Sequence, residues 1–232
     1  MKQEEMKNTE LFDLTQTIAA RLFGMYTYPW EAVSHIGKCI TSIGKHLPEE
    51  EYQKLGKNIW IHKSARMARS VMMTGPAIIC AGAEVRHGAF LRGNTIIGEG
   101  AVVGNSCELK NVVLFNGAQV PHFNYVGDSI LGYKAHMGAG AVTSNVKSDK
   151  TLVKIHAADG DIETGLKKVG AFLGDGVEVG CQTVLNPGTV VGRNTNIYPL
   201  SSVRGCVAAN SIYKKADEIV EKEERETEET TK

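Results

Sequence analysis

Residues 91–108 read LRGNTI, IGEGAV and VGNSCE, three groups of six that each begin with an aliphatic residue. The fifth place of each group holds a small or β-branched residue. This period matches neither the 3.6-residue stripe of an α-helix nor the 3.5-residue seam of a coiled coil. It contains the strand period of two, so positions one, three and five share a face. The first positions along the chain are Ile61, Met67, Met73, Ile79, Val85, Leu91, Ile97, Val103 and Leu109, then Leu173, Val179, Leu185, Val191, Ile197 and Val203.

A six-residue repeat with frequent glycine is typical of a parallel β-helix, in which stacked units build one continuous core. The pattern resembles that of the hexapeptide-repeat acyltransferases, whose three hexads form one triangular coil of a left-handed β-helix. We therefore expect a mainly β protein, a single-stranded left-handed parallel β-helix, with its hand taken from the resemblance. A small N-terminal α-helical segment and a charged C-terminal tail complete the expected fold.

The repeat also predicts where the chain divides. We expect an N-terminal helical segment and linker over residues 1–57, the solenoid over 58–207, and a short helix fraying into disorder over 208–232. One-residue deletions shift the register so that Leu114 and Leu131 take first positions. Residues 145–172 break the repeat and predict a loop extruded from one face, as solenoid insertions often are.

The N-terminal segment shows helical periodicity. Residues 9–24 carry apolar residues at helical spacing, with Thr9 a candidate N-cap. A second helix is expected to start near Pro29, with a buried face formed by Trp30, Val33, Ile36 and Ile40. We expect these helices to cover the open sheet edge of the first coil, which would otherwise favour aggregation.

Composition excludes several kinds of partner. The chain has 232 residues with 26 basic and 26 acidic side chains, so no charge excess favours nucleic acid or an anionic membrane. No apolar run is long enough to span a bilayer. The five cysteines lack metal-ligand spacing, and their odd number without a signal peptide predicts reduced thiols in a cytoplasmic protein.

The segment 120–145, VPHFNYVGDSILGYKAHMGAGAVTSN, carries the motifs that suggest chemistry. It resembles the acetyltransferase half of the bifunctional family that acetylates glucosamine 1-phosphate and then couples the product to UTP. That family has a His-x-x-Tyr-x-Gly-Asp string, then Gly-Ala-Gly and Thr-x-Asn. The matching residues here are His122, Tyr125, Gly127, Asp128, Gly138, Ala139, Gly140, Thr143 and Asn145.

Two basic residues upstream match family positions that supply cations. Arg92 and Lys110 are each the second residue of a hexad, three hexads apart. Three hexads make one coil, so the two cations are expected on one face, one strand spacing from each other. Two like charges at such a short distance repel each other unless an anion lies between them. They therefore form a sugar-phosphate clamp, or else they are solvated or paired with Glu84 or Glu108.

The resemblance implies an acetyl-CoA-dependent N-acetyltransferase acting on an amino-sugar phosphate or a sugar nucleotide, and it implies a homotrimer. In this family His122 is the general base that takes a proton from the sugar amine. Imidazole suits that role because it titrates near neutrality. Tyr125 contacts the substrate. We expect backbone N–H groups of the turn 138–140 to stabilise the oxyanion.

At other positions that match the family's site residues, this sequence carries a different residue or aligns less clearly. His136 replaces an Asn that positions the sugar, and Val146 stands where the family often has Tyr. The substrate lysine aligns with Lys168, and nearly as well with Lys167, once the insertion is gapped. Acetyl-CoA contacts are expected at Ala139, Asn145, Cys181 and Pro199, although Cys181 replaces a Ser.

Three alternatives compete with the acetyltransferase interpretation, and the sequence argues against the first two. The γ-class carbonic anhydrases share the solenoid and bind zinc, but His87 and His122 lie two coils apart, about 10 Å, too far for one ion. No metal is therefore expected. Nucleotidyl transfer would need a Leu-x-Gly-Gly-x-Gly-Thr-Arg string, which is not in this sequence. The remaining alternative is a catalytically silent scaffold or sugar-nucleotide sensor.

Overall fold

The computed structural model describes residues 1–222, and residues 223–232 lie outside the described part. No helix within residues 1–222 combines the length and the apolar character needed to cross a bilayer. In the described part of the chain all helices precede the solenoid, and two of them are single 3₁₀ turns, Gln3–Met6 and Leu14–Gln16. The α-helices are α1 (Asn8–Leu11), α2 (Ala20–Gly24), α3 (Pro29–Val33) and α4 (Ile36–Gly44).

The strands are short and follow one another closely along the chain. The first thirteen are β1 (Tyr52–Lys54), β2 (Ile59–His62), β3 (Arg66–Met67), β4 (Met72–Thr74), β5 (Ala77–Ile79), β6 (Glu84–Val85), β7 (Phe90–Arg92), β8 (Thr95–Ile97), β9 (Val102–Asn105), β10 (Glu108–Leu114), β11 (Gln119–His122), β12 (Tyr125–Leu131) and β13 (His136–Met137). The others are β14 (Val142–Thr143), β15 (Lys154–Ala157), β16 (Gly160–Glu163), β17 (Ala171–Leu173), β18 (Glu178–Val179), β19 (Val184–Leu185), β20 (Thr189–Val191), β21 (Asn196–Ile197), β22 (Ser202–Val203), β23 (Cys206–Val207), β24 (Ser211–Lys215) and β25 (Glu218–Glu221).

Three stacks of parallel strands form the three faces of a solenoid. Face one contains β2, β5, β8, the second halves of β10 and β12, β17, β20 and β23. Face two contains β3, β6, β9, β11, β13, β18, β21 and β24. Face three contains β4, β7, the first halves of β10 and β12, β14, β19 and β22. The predicted parallel solenoid is confirmed, and its hand stays a prediction.

The register deletions occur at one corner, between faces three and one. Gly93 and Asn94 make a two-residue corner with φ of 86° and 52°. In the next two coils a single residue turns the same corner, Asn111 with φ 56° and then Asp128 with φ 50°. Strand pairing continues across the shortened corners, with Leu114 opposite Leu131. Asn and Asp tolerate this left-handed conformation better than most residues, so they suit the shortened corner.

The N-terminal helices lie along the outer side of face one, not across the first coil as expected. Their apolar side chains pack with outward-facing residues of that face into a second hydrophobic core. Phe12 and Phe23 meet Phe115 of the solenoid, with ring centroids 5.0 and 5.2 Å away. Face-one strands are consequently buried on both sides, which explains runs such as Ala77–Ile79 in which every residue is buried.

The single helix expected over residues 9–24 is wrong. Phe12 and Thr17 adopt extended backbone, which divides the segment into α1, a 3₁₀ turn and α2. Short pieces can follow the surface of face one, whereas a rigid rod would leave it. The helix expected near Pro29 is confirmed as α3, continued by α4 after a break at Ser34 and His35. Its expected apolar face is buried, namely Trp30, Val33, Ile36 and Ile40.

Antiparallel strands cover both ends of the solenoid. At the start, β1 pairs with β2. At the end, β24 continues face two and β25 turns back on it, so the short helix expected after residue 207 is wrong for residues 211–221. Pairing with an open sheet edge outweighs the helical propensity of this charged sequence. The predicted disordered end falls on residues 223–232, outside the described residues.

Asp175 ties the N-terminal segment to the solenoid. Its carboxylate accepts the backbone N–H of Asp13 at 2.6 Å and that of Tyr133 at 2.7 Å. Arg193 lies 3.5 Å from the same carboxylate. Burial nevertheless raises the pKa of Asp175 above its usual value, against the lowering effect of these two N–H donors and Arg193.

A carboxyl group whose pKa is higher in the folded state stabilises the fold below its unfolded pKa, about 3.9. That contribution disappears as the pH rises through the folded pKa. We therefore expect the wild type to lose stability relative to Asp175→Asn as the pH rises from about 3.5 toward neutrality. Urea unfolding of both proteins across this range measures the difference. A difference that stays constant with pH would contradict the expectation.

Candidate active site

A buried carboxylate, Asp128, organises one cluster of polar residues at the corner between faces three and one. Its side chain is 5% exposed and lies 3.5 Å from Lys110 Nζ. Asn111 Nδ2 donates to Asp128 Oδ1 at 2.9 Å, and Asn145 Nδ2 donates to Oδ2 at 2.6 Å. A buried carboxylate is stable only with such partners. Asp128 therefore holds Lys110 and Asn145 in fixed positions.

The two expected clamp cations lie on face three as the register predicted. Leu91 pairs with Leu109, so Arg92 and Lys110, the next residue of each strand, are one strand spacing apart. Each cation has its own carboxylate, because Arg92 Nη1 lies 2.6 Å from Glu108 Oε1. Glu84, the other candidate partner, binds Arg66 and Arg86 instead.

Tyr125 lies across the same cluster. Asn145 Nδ2 donates to its hydroxyl at 3.3 Å. A Cβ atom on Gly127 would come within 2.6 Å of the Tyr125 oxygen and 2.8 Å of Asn145 Nδ2, so only glycine leaves room for this arrangement. Burial raises the pKa of Tyr125, and the charge of Asp128 raises it further. The phenol therefore stays protonated at neutral pH and can donate a hydrogen bond.

His122 occupies the next corner, between faces two and three. Its imidazole is exposed and makes no hydrogen bond within residues 1–222. Its backbone is held firmly, because the N–H donates to Asn124 Oδ1 at 3.1 Å. Asn124 is buried and donates to the carbonyls of Gly138 and Ala141 at 2.8 and 2.9 Å. Asn124 thus joins the His122 corner to the turn of the next coil.

Three of the four expected acetyl-CoA contacts share a column with His122. The carbonyl of His122 accepts the N–H of Gly140 at 3.0 Å, that of Ala139 accepts Gln182, and that of Cys181 accepts Leu200, both at 2.9 Å. His122, Ala139, Cys181 and Pro199 are therefore consecutive positions along one corner. Asn145, the fourth expected contact, lies instead with Asp128 and Tyr125 at the other edge of face three.

The turn 138–140 offers fewer donors than expected. The Gly138 N–H donates to Val179 O at 2.7 Å, and the Gly140 N–H donates to His122 O. Both groups serve the stacking of the coils, so an oxyanion role for them is wrong. The N–H of Ala139 donates to no acceptor among the described residues, which leaves it as the donor of this turn that a ligand can use.

The structure does not bring His136 into the Asp128 cluster. His136 lies on face two, where its Nδ1 is 2.9 Å from Glu178 Oε2. Lys168 is exposed at the edge of the cluster. The two residues after it are bound there, since Val169 N–H donates to Asn145 O at 3.0 Å and Gly170 N–H donates to Asp128 O at 2.8 Å.

Sequence reasoning did not assign Asn124 to the site. It occupies the inward slot that holds Ala89, Cys107 and Ala141 in neighbouring coils. A buried amide in a slot for small apolar residues needs hydrogen-bond partners, and that exception was the available signal. From the sequence, Glu108 is considered only as a possible ion-pair partner of Arg92 or Lys110. A single sequence does not show whether such a carboxylate also contacts a substrate. Within residues 1–222 no three His, Cys, Asp or Glu side chains cluster as metal ligands do.

Comparison with known proteins gives one family match. The model of the GMPPB C-terminal domain matches residues 73–195. The putative uncharacterized acetyltransferase YaiX of Escherichia coli K12 is 31% identical over 189 residues, covering 72% of this chain and 82% of that protein. The bifunctional protein GlmU of Methanococcus aeolicus is 30% identical over 187 residues, 73% of this chain and 45% of that protein. The chain thus spans less than half the length of this longer relative.

Solved structures align only loosely. The acetyltransferase domain of PglB from Neisseria gonorrhoeae is 17% identical, with a TM-score of 0.31, over 66% of this chain and 53% of that one. A likeness at this level supports no conclusion about the site.

Proposed function

The chain belongs to the family of the GMPPB C-terminal domain, and from that membership we propose that it is an acetyl-CoA-dependent N-acetyltransferase acting on an amino-sugar phosphate or a nucleotide-linked amino sugar. One observation carries the proposal. A column of His122, Ala139, Cys181 and Pro199 runs along one edge of face three, and the Lys110–Asp128–Asn145 cluster lies at the other edge. The first suits an acyl donor and the second suits a phosphorylated sugar.

In this proposal His122 takes a proton from the sugar amine as the nitrogen attacks the thioester carbonyl. The exposed imidazole has no protein partner within residues 1–222 to compete for that proton. The N–H of Ala139 donates to the oxyanion of the tetrahedral intermediate. When that intermediate collapses, the carbon–sulfur bond breaks and CoA leaves as a thiolate, which takes up the proton that His122 accepted. The products are the N-acetyl sugar and free CoA.

The acceptor phosphate is bound by Arg92 and Lys110. Exposed ion pairs contribute about 0–1 kcal/mol, so Arg92 can exchange Glu108 for a phosphate at small cost. Asp128 keeps Lys110 in position, and the Lys110 side chain is 29% exposed, so its other N–H groups are available to the phosphate. Tyr125 donates from its protonated hydroxyl to the sugar. His136 lies across face two and would reach the sugar only from a neighbouring subunit, while Lys168 approaches from the insertion.

A homotrimer with acetyl-CoA between neighbouring subunits is part of the proposal. Two large apolar side chains support it, because Phe123 and Leu200 are 62% and 82% exposed at the same corner as His122. Both have positive φ, 53° and 59°, a conformation that bulky residues rarely adopt. Cyclic trimers are an ordinary closed symmetry. Light scattering on the purified protein measures the subunit number, and a monomer would contradict a shared site.

A thiol-release assay tests the activity. The purified protein is incubated with acetyl-CoA and, in turn, glucosamine 1-phosphate, galactosamine 1-phosphate and UDP-linked amino sugars. We expect free CoA and an acceptor heavier by one acetyl group in at least one reaction. No CoA release with any acceptor, together with tight binding of one of them, would instead favour the sensor or scaffold.

Replacing Arg92 by glutamine is expected to raise KM for the phosphorylated acceptor about 10-fold, the usual cost of losing one hydrogen bond to a charged group. kcat and the KM for acetyl-CoA should change little, because Arg92 is remote from the His122 column. Arg66→Gln is the matched control, since it breaks a similar exposed pair with Glu84 on face two. Equal KM values for the two variants would rule out a phosphate contact at Arg92.

A further inference from the structure

A second concave region lies beneath the inserted hairpin β15–β16, further along the corner that holds the cluster described above, where Ser144 and Val146 of its lining flank Asn145. The hairpin folds back against the corner at Gly188, where an added Cβ would come within 2.8 Å of Lys154 O. It borders a half-open pocket of about 400 Å³ at the corner between faces three and one. The basic side chains of its lining are Lys147, Lys154, His156 and Arg204, against one acidic residue, Asp149.

The charges in this pocket are unequally partnered. The three basic residues of the insertion have acidic neighbours on the insertion itself, as in the pair of Lys154 with Glu163 at 2.9 Å. Arg204 comes from the solenoid and has neither an ion pair nor a hydrogen bond from its side chain within residues 1–222. Arg204 is exposed to solvent, and a guanidinium close to other cations is stabilised by an anion, whose phosphate oxygens its planar fork matches.

A pocket of about 380 Å³ with a mixed polar and apolar lining adjoins the basic one, and both are lined by His156 and Arg204. Ala157, Val207 and Ile219 contribute to its wall. Ile219 belongs to the C-terminal hairpin and is 45% exposed. A cationic end continuous with an apolar end fits a ligand that carries phosphate groups at one end and a flat apolar ring at the other.

We propose that these two pockets form one nucleotide-binding site, with the phosphates at Arg204 and Lys154 and the base against Ile219. The site is separate from the clamp at Arg92 and Lys110. Strand register places Arg204 four strand spacings beyond Lys110 on face three, about 19 Å away. The nucleotide can be the 3′-phospho-ADP end of acyl-CoA or the nucleotide of a sugar-nucleotide acceptor.

Calorimetric titration of the full chain tests this site without any assay of acetyl transfer. The probes are ADP and inorganic pyrophosphate. Arg204→Gln and Lys154→Gln are each expected to weaken both probes about 10-fold. Ile219→Gln should weaken ADP but leave pyrophosphate unchanged, because it touches only the base. Arg69→Gln, an exposed arginine of the first coils, and Val220→Gln, beside Ile219 on β25, should bind both probes like the wild type.

Further probes distinguish the two sources of nucleotide. CoA binding more tightly than dephospho-CoA in the wild type, with the difference lost in Arg204→Gln, identifies the acyl donor. UDP binding that Arg204→Gln weakens, with CoA unaffected, identifies the acceptor. The proposal is overturned if neither ADP nor pyrophosphate binds the wild type, if Arg204→Gln and Lys154→Gln bind them unchanged, or if Ile219→Gln leaves ADP binding intact. Every readout here is a binding measurement. If the protein showed no acetyl transfer, the nucleotide-binding proposal would therefore still be tested on its own.

Discussion

Replacing His122 by alanine is expected to lower the turnover of acetyl transfer at least about 100-fold while leaving the unfolding midpoint unchanged. The reason for the loss is chemical, because the imidazole is the group placed to take the proton of the attacking amine. The fold should survive, since the imidazole is exposed and only the backbone of His122 contributes hydrogen bonds. Steady-state kinetics with saturating acetyl-CoA, together with thermal unfolding, measure both quantities.

His87 provides the matched control. It lies in the same corner column two coils earlier, where its carbonyl accepts the N–H of Ser106, and it is exposed like His122. His87→Ala therefore removes an exposed imidazole from an equivalent corner, together with one hydrogen bond that His122 lacks, between His87 Nδ1 and Ser70 Oγ at 2.8 Å. We expect that variant to keep wild-type turnover. Unchanged turnover in His122→Ala would refute the assignment of the general base, and equal losses in both variants would point to a structural effect.

The second large effect is expected at Asp128. Asp128→Ala should lower the free energy of unfolding by about 3 kcal/mol in total, of which about 2 kcal/mol comes from removing the acceptor of Lys110, Asn111 and Asn145. It also leaves a non-glycine residue without a polar side chain at φ 50°, which costs about 1 kcal/mol. Asp128→Asn keeps an amide that tolerates this backbone, so about half of the loss should remain. Urea unfolding followed by circular dichroism measures the three proteins.

The control for the backbone contribution is Asn194→Ala. Asn194 turns an exposed corner with φ 57°, and its side chain makes one exposed hydrogen bond, from Nδ2 to Asn210 Oδ1 at 3.2 Å. Its replacement therefore measures the cost of alanine in the left-handed conformation together with the loss of one exposed hydrogen bond. Asp128→Ala should exceed that cost by about 2 kcal/mol, the contribution of the buried hydrogen bonds. A loss no greater than that of Asn194→Ala would show that Asp128 does not stabilise the cluster.

The repeat made much of the fold predictable. Because a hexad occupies one side of each coil, counting by sixes assigns most of the solenoid to a face. The same count put Arg92 beside Lys110, and it identified the shortened corners that the structure places at Asn111 and Asp128. These relations depend only on backbone geometry, which the periodic core residues determine.

Other features depend on contacts between distant parts of the chain. The apolar periodicity of residues 9–24 suggested one helix, but Asp175 binds the backbone at Asp13 and the segment bends to follow face one. His136 matched a substrate position by alignment, but it pairs with Glu178, 42 residues away in sequence. The local sequence around a residue does not show which side chain of another coil will contact it.

The sequence by itself determined the solenoid, the order of its faces and the corner on which His122 lies. It could do so because the spacing of small and aliphatic residues directly sets the stacking of the coils. Only the tertiary structure decided which donors remain available to a ligand. The N–H groups of Gly138 and Gly140 donate to carbonyls of neighbouring coils, whereas that of Ala139 has no such acceptor within residues 1–222. The Asn124 side chain joins the His122 corner to the turn of the next coil. A backbone N–H that donates to a protein carbonyl is not free to bind a ligand, so the free donors are known only once the positions of all neighbouring groups are known.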